Sequence, residues 1–308
     1  MTSAGAVEHF YAAERSARNP IISPDIDDAI GENINGPSLI RVPDWVDRPL
    51  GRYYLYFAHH QGKFIRLAYA DDLDGPWRIY RPGTLHIDQT ICRGHIASPD
   101  VHVDDDRRRI VMYFHGCTDD GQKTFYATSA DGLSFRASNR CLGPSYLRVF
   151  THDGCCYAVA KKEGPNGGGV LLRSRDGRTP FEHGPEIIPR MRHAAVLKQR
   201  SELTIFFSRG GDCPERILAC RMDLRGDWRR WKPGEPFEVL APEADYEGAL
   251  LPLECSRFGA VHEPVRQLRD PAVFREDGKT YLVYSCAGES GLGIAELIPK
   301  RERRRIEV

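Results

Sequence analysis

The stretch 268–297 reads LRDPAVFREDGKTYLVYSCAGESGLGIAEL, and its pattern decides how the chain can fold. It contains three short apolar segments, separated by a polar turn at Asp277-Gly278 and by a loop of small residues around Gly288. Short apolar runs with such turn residues between them are typical of an antiparallel meander. The stretch therefore predicts three consecutive β-strands, at 271–275, 280–285 and 292–297.

The same arrangement occurs four more times upstream. Each unit begins with an apolar segment after a small residue or proline, and further strand patterns follow it. Five units of four strands predict an all-β fold, a five-bladed β-propeller, whereas a β-sandwich with a smaller second domain does not explain five similar openings. We expect residues 1–308 to form one propeller domain with an N-terminal extension at 1–18 and a basic tail at 299–308. The units open at Asn35, Ser98, Gly143, His193 and Leu268.

The fifth unit supplies only three strands, so its fourth strand must come from elsewhere. The segment 20–24 is a short apolar run between two prolines, and it resembles the outer strands at 184–189 and 235–242. An N-terminal strand that completes the last blade would close the ring and leave no strand edge unpaired. We therefore expect 20–24 to pair with the C-terminal meander. Weak amphipathic spacing within 1–18 predicts a short helix before it.

Composition limits the classes of partner. The chain has 43 basic and 43 acidic residues, so its net charge gives little support to nucleic-acid binding. Its nine cysteines are irregularly spaced with no C-x-x-C pair, which favours a reducing compartment over a disulfide framework or zinc site. No apolar run reaches the length of a membrane span. We expect a soluble cytoplasmic protein with a small-molecule partner, and the sequence gives no oligomeric state.

One face of the predicted propeller collects polar residues of a kind that builds sites. Inner strands begin there and second strands end there, and loops on a rigid scaffold are where binding residues concentrate. Carboxylates, imidazoles and guanidinium groups around a funnel suit a polyhydroxylated or anionic small ligand. A protein-binding surface would favour aromatic and apolar anchors instead. The expected substrate-binding residues are Asn35, His59, His60, His95, His115, Lys161, Glu163, His193, Arg209, Glu263, Arg266, Arg269 and Glu289.

Two unit openings carry a family resemblance. SPDV at 98–101 precedes RRRIVMYFHG at 107–116, and RDPAVF at 269–274 precedes DGKTYLVYS at 277–285. These resemble blade openings of five-bladed propeller glycosidases, above all glycoside hydrolase family 43 and its relatives. The resemblance implies a general-base Asp at the first opening, a second Asp at the third and an acid Glu at the fourth. This chain instead has NGP at 35–37, GPS at 143–145 and HAA at 193–195.

Glycoside cleavage needs one carboxylic acid to protonate the leaving oxygen and one carboxylate to attack or to activate water. We expect Asp270 to be the base or nucleophile, because it stands at the start of an inner strand, and Asp100 to support a partner. The acid is to be found among Glu163, Glu247, Glu263 and Glu289, and we favour Glu247, on the long connection before the fifth unit. The expected catalytic residues are thus Asp270, Asp100 and Glu247.

Other chemistries stay open for this residue set. One of His95, His115 and His193 can serve as the acid, and imidazoles converging with Asp100 leave room for a divalent cation, although we expect no cofactor. Three arginines, Arg209, Arg266 and Arg269, can hold a phosphate, as a glycoside phosphorylase would require. We expect a glycoside hydrolase-like enzyme that cleaves a small glycoside or oligosaccharide at the central funnel. A non-catalytic carbohydrate-binding propeller is the alternative of a different class.

Overall fold

The computed structural model of the protein describes residues 10–164 and 167–300. Strands account for nearly all of its regular structure, and they form five separate sheets. The fold is a five-bladed β-propeller, so the predicted fold class is confirmed. No helix among the described residues has the length and apolar character needed to cross a membrane. The short 3-10 turns are Pro24–Ile26, Asp28–Ile30, Ile87–Gln89, Asp105–Arg107, Trp228–Arg230 and Asp245–Glu247.

The strands are numbered along the chain, and each blade runs from an inner strand at the channel to an outer edge. The first strand, β1 (Tyr11–Arg15), is the outer strand of the fifth blade. Blade 1 contains β2 (Asn35–Arg41), β3 (Tyr53–Ala58), β4 (Phe64–Ala70), β5 (Arg78–Ile79) and β6 (Leu85–His86). Blade 2 contains β7 (Arg93–Asp104), β8 (Arg109–Thr118), β9 (Gly121–Ser129), β10 (Arg136–Ala137) and β11 (Gly143–Pro144).

The last three blades have four strands each. Blade 3 contains β12 (Arg148–His152), β13 (Cys155–Lys161), β14 (Gly169–Ser174) and β15 (Glu182–Glu186). Blade 4 contains β16 (Met191–Gln199), β17 (Glu202–Arg209), β18 (Ile217–Asp223) and β19 (Phe237–Leu240). Blade 5 contains β20 (Arg269–Glu276), β21 (Lys279–Cys286), β22 (Gly291–Pro299) and β1.

An N-terminal strand completes the last blade, as predicted, but it is a different segment. Strand β1 pairs antiparallel with β22, from Tyr11 opposite Pro299 to Arg15 opposite Ala295. The segment 20–24 contributes only an isolated bridge between Ile22 and Leu292, because its two prolines lack the N–H groups of a longer ladder. The helix expected within 1–18 is also wrong for residues 11–15, and residues 1–9 lie outside the described part. Pairing with the free edge of β22 outweighs a weak helical pattern.

The third blade begins later than predicted. The pair Gly143–Pro144 belongs to blade 2, where it lies beside β9, and the inner strand of blade 3 is Arg148–His152. Between them Tyr146 has a φ of 63°, in the left-handed region that few residues other than glycine adopt. The chain therefore turns from one blade to the next at the position where the sequence suggested a continuous strand.

Bulges interrupt the inner strands of four blades near their openings. The register shifts between Asn35 and Ser38 and at the corresponding places of β7, β16 and β20. At these openings Gly36, Ser98 and Asp270 have φ values of 59°, 50° and 46°, and each is followed by proline. A bulge redirects the side chains around it. In this propeller it separates the residues at the channel mouth from those deeper in the channel.

A hydrophobic layer fills the space between each pair of neighbouring blades. Between blades 3 and 4, for example, the Tyr157 ring lies 4.9 Å from that of Trp231 and 6.0 Å from that of Trp228. Face-to-face packing of sheets explains why the β-strands are so apolar, and it leaves the polar inner openings facing the axis. The core thus fixes the geometry of the channel mouth.

Candidate functional site

Polar side chains from four blades and from the turn that leads into blade 3 meet at one end of the central channel. We call this group the central cluster. The space that it encloses has a volume of about 10 Å³, which is room for about one water molecule. The central cluster consists of Asn35, His60, His95, Ser98, His115, Tyr146, His193, Asp270 and Glu289.

A buried imidazole–carboxylate pair lies at the centre of this group. Nδ1 of His193 is 2.8 Å from Oδ1 of Asp270, and both side chains are almost fully buried. Burial alone would raise the pKa of Asp270, but His193 and the charge of Arg269 outweigh it and lower that pKa to about 2. Burial lowers the pKa of His193 despite its carboxylate partner. Asp270 is therefore an ionised carboxylate at any physiological pH.

Glu289 is the second carboxylate of the central cluster, and donors surround it. The amides of Asn33 and Asn35 donate to its Oε2 at 2.8 and 3.1 Å, Nη1 of Arg269 donates to Oε1 at 3.0 Å, and Nδ1 of His60 lies 3.4 Å away. Burial and the charge of Asp270 act to raise the pKa of Glu289. The hydrogen bonds from His60 and Asn33 outweigh these effects, so the pKa of Glu289 lies below its ordinary value. The protonation state of Glu289 thus depends on hydrogen-bond donors that a ligand can replace.

Aromatic and imidazole rings line the remaining wall. The Tyr146 ring lies between His115 and His193, with ring centroids 4.2 and 4.8 Å away. The ammonium of Lys161 is 5.3 Å from the centre of the same Tyr146 ring. Burial holds the pKa of His115 well below its ordinary value, and Nδ1 of His115 has no hydrogen-bond partner. Apart from the Lys161 ammonium, this wall consists of uncharged rings.

A buried charge network supports the central cluster from behind. Glu215 is fully buried, 2.9 Å from Nε of Arg192 and 3.5 Å from Nε of Arg269. Arg269 is also fully buried and links Glu215 to Glu289. No sequence pattern marks Glu215, Arg192, Tyr146 or Asn33 as site residues. Glu215 lies in a polar loop sequence, Cys-Pro-Glu-Arg, in which no pattern indicates burial.

Asp100 lies deeper in the channel, outside the central cluster. Its Oδ2 accepts from the backbone N–H of Val149 and lies close to His102 Nε2, each at 2.8 Å, and the cavity that it lines has a volume of about 260 Å³. The Arg148 guanidinium crosses the channel near this depth and donates to the carbonyls of Pro99 and Ala194. Burial opposes ionisation, but His102 lowers the pKa of Asp100. The structure thus places Asp100 and Asp270 in different compartments.

Glu247 is fully buried beneath the closing strand, away from the central cluster. Its carboxylate accepts hydrogen bonds from Arg15 Nε and from the Tyr284 hydroxyl, each at 2.8 Å. The backbone N–H groups of Glu243 and Ala244 donate to the same carboxylate. Arg15 and Tyr284 thus tie the long connection to β1 and to blade 5, while the two N–H groups fix the carboxylate within the connection.

The remaining residues expected at the site lie around its rim. His59 is half-buried, and Glu163 is exposed and paired with Lys123 at 2.6 Å. Glu263 is exposed, while the Nε atoms of Arg209 and Arg266 are buried without a hydrogen-bond partner. Within residues 10–164 and 167–300, no three His, Cys, Asp or Glu side chains are grouped so as to hold a metal ion.

Residues 249–268, which we call the covering segment, lie across the mouth of the channel. The Asn33 amide donates to the carbonyl of Val261 at 3.1 Å, and Nη1 of Arg192 donates to that of Gly259 at 3.2 Å. The Phe258 ring lies 5.1 Å from the Arg192 guanidinium and 5.7 Å from the Lys161 ammonium. These contacts explain why the central cluster encloses so little space.

Comparison with solved structures confirms the resemblance to five-bladed propeller glycosidases at the level of the fold. A thermostable family-43 glycoside hydrolase matches with a TM-score of 0.62 and 14% identity, over 87% of this chain and 90% of that one. A putative glycosidase from Bacteroides thetaiotaomicron matches with 0.69 and 13%, over 92% and 96%. A structure described under the GH130 family of mannoside phosphorylases, which contains glycoside hydrolases, matches with 0.66 and 12%, over 96% and 95%. The fold class is therefore that of a glycosidase-like propeller.

Sequence comparison assigns a family within this class. The chain is 36% identical over 303 residues to the uncharacterized protein R118 of Acanthamoeba polyphaga mimivirus, covering 86% of this chain and 83% of the viral protein. It belongs to the same family as that protein. No protein-family model matches the chain.

Proposed function

We propose that the protein is a glycoside hydrolase that cleaves a small glycoside or oligosaccharide at the central cluster. The observation that carries this proposal is the convergence of two buried carboxylates, Asp270 and Glu289, at the mouth of a propeller whose structural neighbours include glycoside hydrolases. Paired carboxylates across a sugar are the machinery of this reaction.

The two carboxylates have environments that separate their roles. Asp270 is ionised and is held by His193, so it is the group that activates water or attacks the sugar. Glu289 is the acid that protonates the leaving oxygen. When a sugar hydroxyl replaces His60 or Asn33, Arg269 still favours the ionised form of Glu289, but burial and the charge of Asp270 remain, and both raise its pKa. Substrate binding itself thus prepares the acid.

Substrate entry requires the covering segment to move, because a space of about 10 Å³ admits no sugar. The segment is held by side chains that donate to its backbone carbonyls, by the Phe258 ring and by backbone hydrogen bonds such as that from Ser256 to Asp212. When the covering segment closes again over bound substrate, it excludes bulk water from the catalytic groups.

Two substitutions test the assignment with aryl glycosides that differ in leaving group. Asp270→Asn should lower kcat about a hundredfold or more for all of them. Glu289→Gln should slow substrates with poor leaving groups much more than those with good ones, because only the former need a proton. Asp106→Asn, in an exposed turn on the opposite face, is the matched control. Full activity of both site variants, each folded by circular dichroism, would refute the proposed roles.

A non-catalytic carbohydrate-binding propeller is the second candidate. One observation favours it: each carboxylate of the central cluster is already engaged by donors in this structure. Wild-type protein that binds sugars by calorimetry but turns over none of a broad glycoside panel would establish this function.

Phosphorolysis has weaker support than hydrolysis. Of the three arginines expected to hold phosphate, Arg269 is paired with Glu289, and Arg209 and Arg266 lie outside the central cluster. Turnover should therefore not depend on inorganic phosphate. Strict phosphate dependence would assign the chain to the phosphorylases instead.

A further inference from the structure

We propose that Cys213 and Cys255 form a reversible disulfide that fixes the covering segment over the central cluster. Cys213 lies in the loop between β17 and β18 of blade 4, and Cys255 lies in the covering segment itself. Both thiols are free and solvent-exposed in the structure. The pair is therefore accessible to a redox partner, and it joins the covering segment to the rigid body of the propeller.

Backbone pairing brings the two cysteines together. The N–H of Gly211 donates to the carbonyl of Ser256 at 3.1 Å, and the N–H of Ser256 donates to the carbonyl of Asp212 at 3.0 Å. This antiparallel pairing, continued by one residue on each segment, sets Cys213 opposite Cys255. Directly opposite residues of antiparallel segments have the short Cα and Cβ separations that a disulfide needs.

The side chains follow the backbone. The thiols of Cys213 and Cys255 are within hydrogen-bond reach of each other, and this contact raises the pKa of Cys213. The Ser256 hydroxyl donates to the carbonyl of Arg209 and accepts from the N–H of Gly211, which holds the covering segment in register at this point. The two thiols thus already lie beside each other before the bond forms.

A small disulfide such as oxidised glutathione is the oxidant of the proposed reaction. One cysteine thiolate attacks it, forms a mixed disulfide and releases one glutathione thiol. The other cysteine thiolate then attacks the mixed disulfide at the protein sulfur and releases the second. Two protein thiols are oxidised, one glutathione disulfide is reduced to two thiols, and a dithiol reductant reverses the sequence.

The bond would hold the segment at one of its most exposed points. Opening of the covering segment must break the hydrogen bonds of Asn33 and Arg192 to its backbone and the contact of its Phe258 ring with Arg192. Within the segment, these contacts involve residues 258–261, which closely follow Cys255. A covalent link at Cys255 anchors the segment next to these contacts, so the segment cannot lift away from the channel mouth as a unit. The consequence for substrate entry rests on the proposed function, whereas the link itself does not.

Thiol chemistry of the full chain tests the link. Wild-type protein equilibrated with oxidised glutathione should lose two hydrogens in intact mass, and a non-reducing peptide map should join the peptides of Cys213 and Cys255. Cys213→Ser and Cys255→Ser should each retain a glutathione adduct instead. Cys141→Ser, which removes an exposed cysteine outside the pair, should form the link like wild type. Stable glutathione adducts on both cysteines of wild type would overturn the proposal.

Hydrogen exchange separates the latch from the enzyme activity. The amides of residues 256–262 should exchange about tenfold or more slowly in oxidised than in reduced wild type, with no difference in Cys213→Ser. Equal exchange in linked and reduced protein would refute the fixing of the segment. Oxidised wild type should also lose glycoside turnover and regain it with dithiothreitol. A protein inactive in both states contradicts the proposed function alone, since mass and exchange decide the latch.

Discussion

Asp270 occupies a strained backbone position at the mouth of the channel. Its φ of 46° is shared by few residues other than glycine, asparagine and aspartate, and Ser98 and Tyr146 of the central cluster also have positive φ. Each such residue destabilises the fold by about 1–3 kcal/mol unless its surroundings hold it. Three strained residues at one end of the channel therefore point to a function at that end.

At this scale the pH dependence of the rate is the informative measurement. Asp270 must be ionised and Glu289 protonated, so kcat/KM should rise with pH through about 2 and fall through the pKa of Glu289, which lies below its ordinary value in the free protein. In the complex the sugar replaces His60 or Asn33, so the fall of kcat should lie at higher pH than that of kcat/KM. His60→Gln should raise the pKa of Glu289 and so shift the fall of kcat/KM to higher pH. A rate that keeps rising above pH 7 would contradict the roles of both carboxylates.

Individual site residues could be predicted from sequence only where a motif marks the strand opening. Asp270 stands in such a motif, and its position at the channel mouth follows from it. The motif at 98–101 is shifted, so that Ser98 rather than Asp100 matches Asp270 in register. The intervening bulge breaks the alternation of faces, which sends Asp100 to the deeper compartment. The roles assigned to these residues remain predictions.

Among the elements, the closing strand β1 is held by its ladder with β22 and by an ion pair to a buried carboxylate. Arg15 contacts Glu247, which has no solvent exposure, and the same carboxylate binds the Tyr284 hydroxyl. Glu247→Gln would leave the partly buried guanidinium of Arg15 with only the exposed Glu243 as a charge partner. The free energy of unfolding should fall by about 2–4 kcal/mol, measured by urea denaturation.

The same variant distinguishes a structural Glu247 from a catalytic one. Glycoside turnover per folded molecule should stay near the wild-type value at a temperature where Glu247→Gln is folded. Arg15→Gln should destabilise the protein similarly. Loss of turnover without loss of stability would instead support the catalytic role that the sequence suggested for Glu247.

Strand order and blade number could be read from the sequence because each blade repeats one pattern of apolar runs and turns. The closing strand β1 could not be predicted, because its sequence YAAER has no strong strand propensity. It forms a strand only because β22 offers a free edge. The buried network around Glu215 is equally hidden, because burial of a charge depends on partners distant in the chain. Local patterns reveal repeated elements, whereas long-range partners must be seen in three dimensions.

For the whole molecule, the ring depends on a strand from the opposite end of the chain. Removal of residues 1–16 should leave β22 as an exposed edge, and such edges pair with other chains. The truncated protein should form dimers or larger assemblies in light scattering at concentrations where the full chain does not. A synthetic peptide of residues 10–16 should reduce this association. A truncated chain that stays dispersed and equally stable would show that β1 is dispensable.

The antiparallel pairing of β1 with β22 also sets the mechanical behaviour of the molecule. Tyr11 lies opposite Pro299, so a force applied between residues 10 and 300 acts across the ladder at its end. The residue pairs from Tyr11–Pro299 to Arg15–Ala295 then break one after another, in the unzipping geometry. In the shear geometry they would all bear the load at once. A tether at these two points would peel the fifth blade first and leave the other four sheets intact at low load.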